Sequence, residues 1–301
     1  MTGATGFIGK KLTVKLLGMG HEIHVLTRDK QKAKKIFPQT AVSAFEWRNN
    51  REIPPLDAIS GINGVINLMG ENITAKHWSD DQKKRLKESR VDSTQNLVKL
   101  LEQNLSNTLD FFISASAIAI YPVNIPKVLT EESNLGHNYL AELCKMWEEA
   151  TNGLTKVKRK VIIRTGVVLE KTDGALKKML PLFQMGLGGP IGKGNQMMSW
   201  IELDDLVDLY VNAATDSKYS GIFNGVAPTP VNNFNFTKAL GHALHRPTII
   251  PVPTLPLKLA FGEMASLILD SQAIVSKRLQ EVGFHFKYET VDSALNAIFH
   301  K

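Results

Sequence analysis

The sequence predicts an α/β protein with a doubly wound parallel sheet, and three observations support this prediction. Glycines at positions 3, 6 and 9 form a turn that leads directly into a segment of helical apolar period. Short apolar runs then alternate with helical patterns, which is the rhythm of strand–helix–strand units. The run 64–69 is apolar almost throughout, as is typical of a strand buried on both faces of a parallel sheet.

The composition is that of a globular chain of 301 residues, which suits one large domain or two closely joined lobes. Its 36 Lys and Arg exceed its 29 Asp and Glu, and the net charge of +7 would suit an anionic ligand. The basic residues stand among acidic ones, so solvated helix faces explain them better than a nucleic-acid site. We therefore expect no nucleic-acid partner.

Cysteine content and apolar runs bear on the compartment. Cys144 is the single cysteine, which excludes an intramolecular disulfide and indicates a reducing environment. No apolar run reaches about 18 residues, and no charged-then-apolar leader begins the chain. We expect a cytoplasmic protein without a membrane partner, either a monomer or a homodimer.

The glycine turn 3–9 is the pattern that holds the pyrophosphate of a dinucleotide. Glycine allows the backbone to turn with positive φ and to approach phosphates closely, and the helix N-terminus offers unpaired N–H groups. An ordinary strand-to-helix turn would need the same residues, and a glycine triplet alone does not separate the two interpretations.

The strand that should precede this turn is almost absent, because only Met1 and Thr2 come before Gly3. In the strand order 3-2-1-4-5-6 of such sheets, that first strand lies at the centre. Its loss would leave two rows of buried backbone groups unpaired. We therefore expect about four to six apolar residues upstream of Thr2.

The remaining elements follow in an alternating order. The patterns predict strands at 22–27, 40–47, 64–70, 111–116, 160–165 and 221–224. They predict helices at 10–19, 79–103, 138–152 and 174–185, another after 202, and a mostly helical end interrupted by an extended proline-rich piece at 246–256. The loop 186–194 has five glycines, so it could cradle an anion or act as a lid near the substrate.

The end of the second strand bears on the choice of dinucleotide. An acidic side chain there would bind the ribose 2′-OH of NAD, whereas this strand ends in Thr27 and Arg28. A guanidinium at that position would pair with the 2′-phosphate of NADP. Asp29 follows at once and weakens the inference, and an exposed surface charge is the alternative for Arg28. The residues favour NADP over NAD.

Ligands of doubly wound sheets lie outside the carboxyl ends of the strands. Leu68, Met69 and Gly70 end the fourth strand and should border the cofactor unless they are only core residues. The fifth strand ends in small hydroxyl residues, among them Ser114 and Ser116. The other polar candidates for the site are Glu71, Asn72, Tyr121, Lys193, Gln196 and Glu202.

Several motifs stand in order along the whole chain and carry a resemblance. They are the turn 3–9, Asn67-Leu68-Met69-Gly70-Glu71-Asn72-Ile73, Ser89-Arg90-Val91, Ile113-Ser114-Ala115-Ser116-Ala117, Arg164-Thr165-Gly166-Val167-Val168-Leu169, the loop 186–194 with Gln196, Trp200-Ile201, Phe223-Asn224-Gly225-Val226-Ala227-Pro228, Phe261-Gly262-Glu263-Met264 and Gly283-Phe284. Together they resemble the atypical short-chain dehydrogenases/reductases that are sugar-nucleotide-epimerase-like and have a C-terminal extension. Some members of that family carry the label "cell-division inhibitor".

The resemblance implies an extended Rossmann fold with a smaller, discontinuous C-terminal substrate lobe. Its implied boundaries are 1–169 for the NADP-binding domain, with 203–226 returning to it, and 170–301 for most of the substrate lobe. It also implies NADP(H) as the cofactor. The residues expected to bind it are Gly3, Thr5, Gly6, Phe7, Ile8, Gly9, Thr27, Arg28, Leu68, Met69, Gly70, Arg90, Ser114, Val167 and Val168.

Catalysis is the point at which the sequence departs from that superfamily. Its enzymes usually combine a Ser with a Tyr and a Lys four residues later, because a nearby cation lowers the pKa of the phenol. Ser116 matches the Ser, but Leu140 and Cys144 occupy the Tyr and Lys positions. Tyr139 is one residue away, which turns a helical side chain by about 100°. Tyr121 is an alternative acid/base, and strand-end packing is an equal alternative for it.

Two functions remain from the sequence. The first is an NADP-dependent oxidoreductase or epimerase that acts on a small substrate, which could be sugar-like, with Ser116 and Tyr121 as catalytic residues. The second is a non-catalytic NADP(H)-binding sensor or regulator, which the missing Tyr–Lys pair favours. We expect no metal site, since the histidines lie on separate elements without a third ligand.

Overall fold

The structure, a computed structural model, describes residues 1–48 and 52–300. The strands are β1 Ile23–Thr27, β2 Val42–Glu46, β3 Gly64–Asn67, β4 Leu109–Ala117, β5 Val128–Leu129, β6 Val157–Thr165, β7 Val167–Leu169, β8 Met197–Met198, β9 Trp200–Glu202, β10 Gly221–Gly225, β11 Val231–Asn232 and β12 Ala273–Ile274. The helices are α1 Phe7–Gly18, α2 Lys30–Ile36, α3 Asp80–Lys87, α4 Ser93–Asn104, α5 Tyr139–Glu149, α6 Gly174–Gln184, α7 Leu203–Thr215, α8 Asn233–Leu244, α9 Thr254–Phe261, α10 Ser266–Leu269, α11 Lys277–Glu281 and α12 Val291–His300.

The main sheet has two parts. Strands β3, β4, β6 and β10 lie side by side in the order β10–β6–β4–β3, and β1 pairs with β2. The β1–β2 and β3–β4 pairs are parallel: Ile23 lies opposite Val42 at the start of the first, and Gly64 lies opposite Phe111 at the start of the second. Crossover helices that cover both faces explain why these strands are so apolar.

Thr2 joins the two parts of the sheet. It forms parallel bridges to Leu26 of β1 and to Asn67 of β3. Its N–H donates to the carbonyl of Ile66 at 3.0 Å, and the carbonyl of Met1 accepts from the N–H of Leu26 at 2.9 Å. The predicted place of the first strand, between the second and the fourth, is therefore confirmed. The expected residues upstream of Thr2 stay a prediction.

The predicted long helix 79–103 is confirmed, and it contains a π-helical turn. Ser79 caps α3 by accepting from the N–H of Gln82, as the sequence predicted. Between α3 and α4, however, the residues Glu88–Asp92 form a π-helical turn. Such turns are single-turn insertions that occur frequently at functional sites, and no simple periodicity marks them.

By its internal contacts the chain divides into two compact units. Unit 1 comprises Met1–Ser116, Glu142–Ile163 and Val207–Ile222, and its core includes Leu26, Val65, Leu97 and Phe112. Unit 2 comprises Ala117–Ala141, Arg164–Leu206 and Phe223–Lys301, and its core includes Leu169, Trp200, Phe236 and Leu295. The division differs from the expected boundary at 169, because Ala117–Ala141 group with unit 2. The expected functional domains stay a prediction.

Among the helices of the described residues, none has the length and apolar character that crossing a membrane requires.

Candidate functional site

The glycine turn is built so tightly that its first and last glycines have no room for a side chain. Gly3 has φ +65°, and a Cβ on it would lie 2.6 Å from the carbonyl oxygen of Leu68. A Cβ on Gly9 would lie 2.1 Å from the carbonyl oxygen of Gly3. Both distances are below any normal contact, so glycine is required for the turn and for the close packing of α1 on it.

The N-terminus of α1 is open to a ligand. Gly6 occupies the N-cap position, and within the described residues no side chain caps this helix. The segment Thr5–Ile8 is partly or fully exposed, whereas Gly9 is buried. The first N–H groups of a helix need partners, and the helix dipole favours an anion among them. This end of α1 therefore suits the pyrophosphate that the sequence predicted for it.

A buried polar cluster below the turn fixes the ends of the central strands. The Thr2 hydroxyl donates to Asn67 Oδ1 at 2.7 Å and accepts from the N–H of Leu68 at 3.0 Å. The Asn67 amide donates to Thr94 Oγ1 at 3.0 Å and to Ser114 Oγ at 3.4 Å. Ser114 is 1% exposed, so the structure gives it a place inside this cluster. Its cofactor role stays a prediction.

Arg28 lies exposed just beyond β1, and Asp29 is held by the next helix. Oδ1 of Asp29 accepts the N–H of Lys32 at 2.8 Å, so Asp29 is the N-cap of α2. The Thr27 hydroxyl accepts the N–H of Asp29 at 3.2 Å, which fixes the turn between β1 and α2. An Asp that follows the strand is thus explained by helix capping rather than by a ribose contact. The sequence analysis overlooked this cap, although Asp before a Lys-rich helix is its usual signal.

Arg90 supports the loop after β3. Its Nη2 donates to the carbonyl of Glu71 at 2.8 Å, and its guanidinium carbon lies 5.2 Å from the centre of the Trp147 ring. A Cβ on Gly70 would touch the guanidinium at 3.2 Å. Leu68 and Met69, which precede this loop, are half-buried, as a ligand border would be. The π-helical turn carries Arg90 toward this loop, and the expected ligand contacts of these residues stay predictions.

Ser116, the candidate catalytic serine, has a partner that the sequence analysis missed. Its hydroxyl donates to Oε1 of Glu148 on α5 at 2.6 Å, and Ser116 is 3% exposed. Cys144, one helical turn before Glu148, is buried, which confirms it as a small core residue. The helix that usually supplies Tyr and Lys thus presents a carboxylate to this serine.

Tyr121, the second catalytic candidate, is fully buried in unit 2. Its hydroxyl donates to Oδ1 of Asn224 at 2.8 Å and accepts from Nη1 of Arg164 at 2.7 Å. Burial raises the pKa of the Tyr121 phenol above its ordinary value, although Arg164 opposes this effect. Such a phenol holds its proton firmly at neutral pH. An acid/base role for Tyr121 stays a prediction, and Arg164 and Asn224 are partners that the sequence analysis did not foresee.

The expected nicotinamide contacts, Val167 and Val168, form β7 in unit 2, where they pair in parallel with Trp200 and Ile201. The glycine loop also belongs to unit 2. Ile191 bridges to Val252, and a Cβ on Gly189 would lie 1.6 Å from the carbonyl oxygen of Ile250. The glycines of 186–194 therefore allow a close approach to 250–252. Unit 1 gathers the other predicted cofactor residues together with Ser116.

Comparison with known proteins identifies the family. Residues 1–146 match the model of the NAD dependent epimerase/dehydratase family, and residues 252–298 match a Domain of unknown function (DUF1731). The chain is 41% identical to the epimerase family protein SDR39U1 homolog, chloroplastic, of Arabidopsis thaliana, over 99% of this chain and 85% of that protein.

Two solved structures extend the comparison. The crystal structure of human epimerase family protein SDR39U1 (isoform 2) with NADPH has a TM-score of 0.86 and 30% identity, and 100% of this chain matches 98% of that one. A nucleoside-diphosphate sugar epimerase from Corynebacterium glutamicum has a TM-score of 0.77 and 32% identity, over 100% of this chain and 57% of that one. The chain belongs to this epimerase family, an atypical branch of the short-chain dehydrogenases/reductases. The resemblance and the Rossmann-type fold expected from the sequence are confirmed.

Proposed function

We propose that this protein binds NADP(H) and acts as an epimerase-like oxidoreductase on a small substrate, which could be sugar-like. The observation that carries the cofactor choice is the pair Arg28 and Asp29. Asp29 caps α2 through its carboxylate, and the exposed Arg28 beside it is the cation at the end of β1 that suits a 2′-phosphate. The human relative that was crystallised with NADPH supports the same choice.

The turn 3–9 and the N-terminus of α1 would hold the pyrophosphate. Thr27 and Arg28 would hold the adenosine 2′-phosphate, and Leu68 and Met69 would border the ribose. The absence of room for a Cβ at Gly3 and Gly9 fits this assignment, since the turn is shaped for a close backbone approach. When bound, NADPH supplies a hydride to the substrate or, as NADP⁺, accepts one.

Ser116 is the residue best suited to the substrate oxygen. Its hydroxyl donates to Glu148, so that when Oγ takes a proton from a substrate hydroxyl, the proton of Ser116 itself passes to the Glu148 carboxylate. A carboxylate behind the serine stabilises that transfer in the direction of alcohol oxidation. Tyr121, with its hydroxyl between Arg164 and Asn224, is the weaker catalytic candidate.

A second candidate function is a non-catalytic NADP(H)-dependent sensor. The observation that favours it is the replacement of the Tyr–Lys pair on α5 by Leu140 and Cys144. In this case the cofactor would bind to the same residues, and no hydride would leave it.

Fluorescence titration with NADPH and NADH tests the cofactor proposal. Replacing Arg28 with Ala should weaken NADPH binding about tenfold or more, because a charge-assisted pair with phosphate is lost, and should leave NADH binding nearly unchanged. Lys35→Ala, at the other end of α2, is the matched control and should change neither affinity. Equal losses for the two nucleotides in Arg28→Ala would contradict the proposed contact.

NADPH consumption in the presence of a panel of carbonyl compounds and sugar nucleotides separates the two functions. An oxidoreductase should consume NADPH with at least one of them, and Ser116→Ala should lower kcat more than it changes KM. An epimerase returns the hydride to its substrate, so sugar nucleotides are also incubated with NADP⁺ and their products are checked for an epimer. If NADPH binds but no member of the panel is reduced or epimerised, the sensor function is favoured.

A further inference from the structure

Unit 2 carries an apolar surface that none of the residues described by the structure covers. It consists of Leu182 and Met185 at the end of α6, Ile249 and Ile250 after α8, and Leu255 and Leu259 on α9. These side chains are 51% to 79% exposed, and none of the residues of α9 is buried. Single exposed apolar residues are common, but a contiguous group of this size marks a surface that contacts something.

The segments of this apolar surface are joined by direct contacts. The side chain of Arg246 donates to the carbonyl of Gln184 at 2.9 Å, where α6 ends. The N–H of Val252 donates to the carbonyl of Pro190 at 2.8 Å, and the N–H of Gly192 donates to the carbonyl of Val252 at 2.9 Å. The chain 246–252 is therefore fixed along the glycine loop, and it leads into α9 two residues later. The exposed side chains belong to one continuous region.

The two segments that form this apolar surface contain basic residues but no acidic ones. Neither 174–201 nor 223–262 contains an Asp or a Glu, although acidic residues make up 29 of the 301 in the chain. The same two segments contain Lys177, Lys178, Lys193, Lys238, Arg246 and Lys258. Elsewhere in the chain basic and acidic residues are interspersed. Two segments that are apolar and basic and contain no acidic residue are complementary to a surface that is both apolar and anionic.

We propose that the apolar surface lies on an anionic lipid bilayer, with α9 and residues 249–250 in the boundary between headgroups and acyl chains. Leu, Ile and Met side chains beside Lys and Arg are the composition of surface-lying segments. The energetic hot spots of protein–protein contacts are enriched in Trp, Tyr and Arg and poor in Leu, whereas the apolar surface has no Trp or Tyr and contains three Leu. A second copy of the chain would place cations against cations.

This attachment differs from the one that the sequence analysis excluded. That expectation rested on the lack of an apolar run long enough to cross a bilayer, whereas a helix that lies on the surface needs only one apolar face. Anionic lipids attract each basic residue near the surface, and this attraction falls off within the screening length of the salt. Binding should therefore require both the apolar residues and low ionic strength.

Co-sedimentation of the full-length protein with vesicles tests the proposal. The vesicles are phosphatidylcholine alone, or phosphatidylcholine and phosphatidylglycerol in equal parts, at ionic strengths of about 0.1 M and about 1 M. We expect binding to the mixed vesicles at the lower salt, with affinity reduced about tenfold or more at the higher salt or without phosphatidylglycerol. Equal binding to both lipids, or none to either, overturns the proposal without any variant.

Two variants and their controls locate the contact. Leu255→Glu with Leu259→Glu, and separately Lys258→Glu, should each weaken binding to the mixed vesicles about tenfold or more. The controls are Leu56→Glu and Lys99→Glu, which change exposed residues of unit 1 and should leave vesicle binding unchanged. Circular dichroism and urea unfolding check that every variant is folded. Equal losses of vesicle binding in the variants and the controls would overturn the proposal. It would also be overturned if the wild-type protein never binds vesicles and instead forms a dimer that Leu255→Glu dissociates.

Discussion

At the scale of single residues, the candidate site depends on glycines, which have no side chain, as much as on polar side chains. Gly9 packs so closely that a methyl group would overlap the carbonyl oxygen of Gly3. At Gly18, the last residue of α1, an added Cβ would have open space and would meet no atom within 4 Å. Glycine is therefore required at position 9 but not at position 18, and an alanine substitution at each position should have opposite effects on stability.

We expect Gly9→Ala to abolish NADPH binding and to destabilise the fold by about 1–3 kcal/mol, since overpacking forces the backbone to move. Gly18→Ala is the matched control, and it should stabilise the protein by about 0.5–1 kcal/mol because Ala restricts the unfolded chain. Urea unfolding and fluorescence titration measure the two effects. Normal NADPH binding by Gly9→Ala would contradict the tight turn described here.

Asp29 shows how a local hydrogen bond can resolve an ambiguous sequence. Replacing it with Ala should cost about 1 kcal/mol of stability, the usual value for an N-cap. Asn is an equally good cap, so Asp29→Asn should keep the stability and tighten NADPH binding by removing a negative charge beside Arg28. Urea unfolding with NADPH titration measures both. A loss of stability in Asp29→Asn as large as in Asp29→Ala would show that the charge, not the cap, matters.

At the scale of elements, helix termini fix distant segments of the chain. Asp205, in the first turn of α7, is fully buried. Its two oxygens accept the N–H of Lys287 at 2.8 Å and the N–H of Tyr288 at 3.1 Å, so it holds the segment before α12. Burial raises the pKa of Asp205 above its ordinary value of 3.8, and the two N–H groups only partly oppose this effect.

The sign of that shift predicts a pH dependence. A carboxyl with a raised pKa binds protons more tightly in the folded state, so its contribution to stability is complete below about pH 3.8 and falls as pH rises through the higher, folded-state pKa. Asp205→Asn keeps one acceptor and does not titrate. The difference in free energy of unfolding between wild type and Asp205→Asn should therefore shrink from about pH 4 to about pH 7. Urea unfolding at both pH values measures it, and a difference that grows with pH would contradict the assignment.

At the scale of the whole molecule, the chain forms two compact units, and each unit consists of three segments that are separated in sequence. Unit 1 holds the glycine turn, Arg28 and the Ser116–Glu148 pair, while unit 2 holds Tyr121 and the apolar surface. The chain passes between the units several times, so no single cut separates them. Most of the proposed cofactor residues lie in unit 1, whereas Val167, Val168 and the proposed vesicle contact lie in unit 2. Cofactor binding and vesicle binding can be measured independently.

Cofactor binding should raise the free energy of unfolding by an amount that grows with the logarithm of the ratio of cofactor concentration to Kd. With NADPH at about a hundred times its Kd, the free energy of unfolding should rise by about 2.7 kcal/mol. NADH at the same concentration should give a smaller rise. Hydrogen exchange should slow first in α1 and the ends of β1 and β3. Protection confined to unit 2 would contradict the assignment of the cofactor residues to unit 1.

The sequence by itself determined the fold class, because periodicity and turn residues are local properties. The glycine turn, the strands at 22–27, 40–47 and 111–116 and the capping Ser79 were all readable from neighbours in the chain. The family followed from the order of the motifs. The place of Thr2 between β1 and β3 was predictable as well, because the strand order of such sheets leaves one central position.

Only the tertiary structure decided which side chains meet. The pairing of Ser116 with Glu148 joins residues 32 apart, and the contact of Tyr121 with Asn224 joins residues 103 apart. The position of 246–252 beside the end of α6 and the glycine loop likewise depends on hydrogen bonds between segments far apart in sequence. No local pattern encodes these contacts, since they arise when non-local packing brings the segments together. The glycine turn predicted a cofactor site, and the tertiary structure shows which side chains surround that turn.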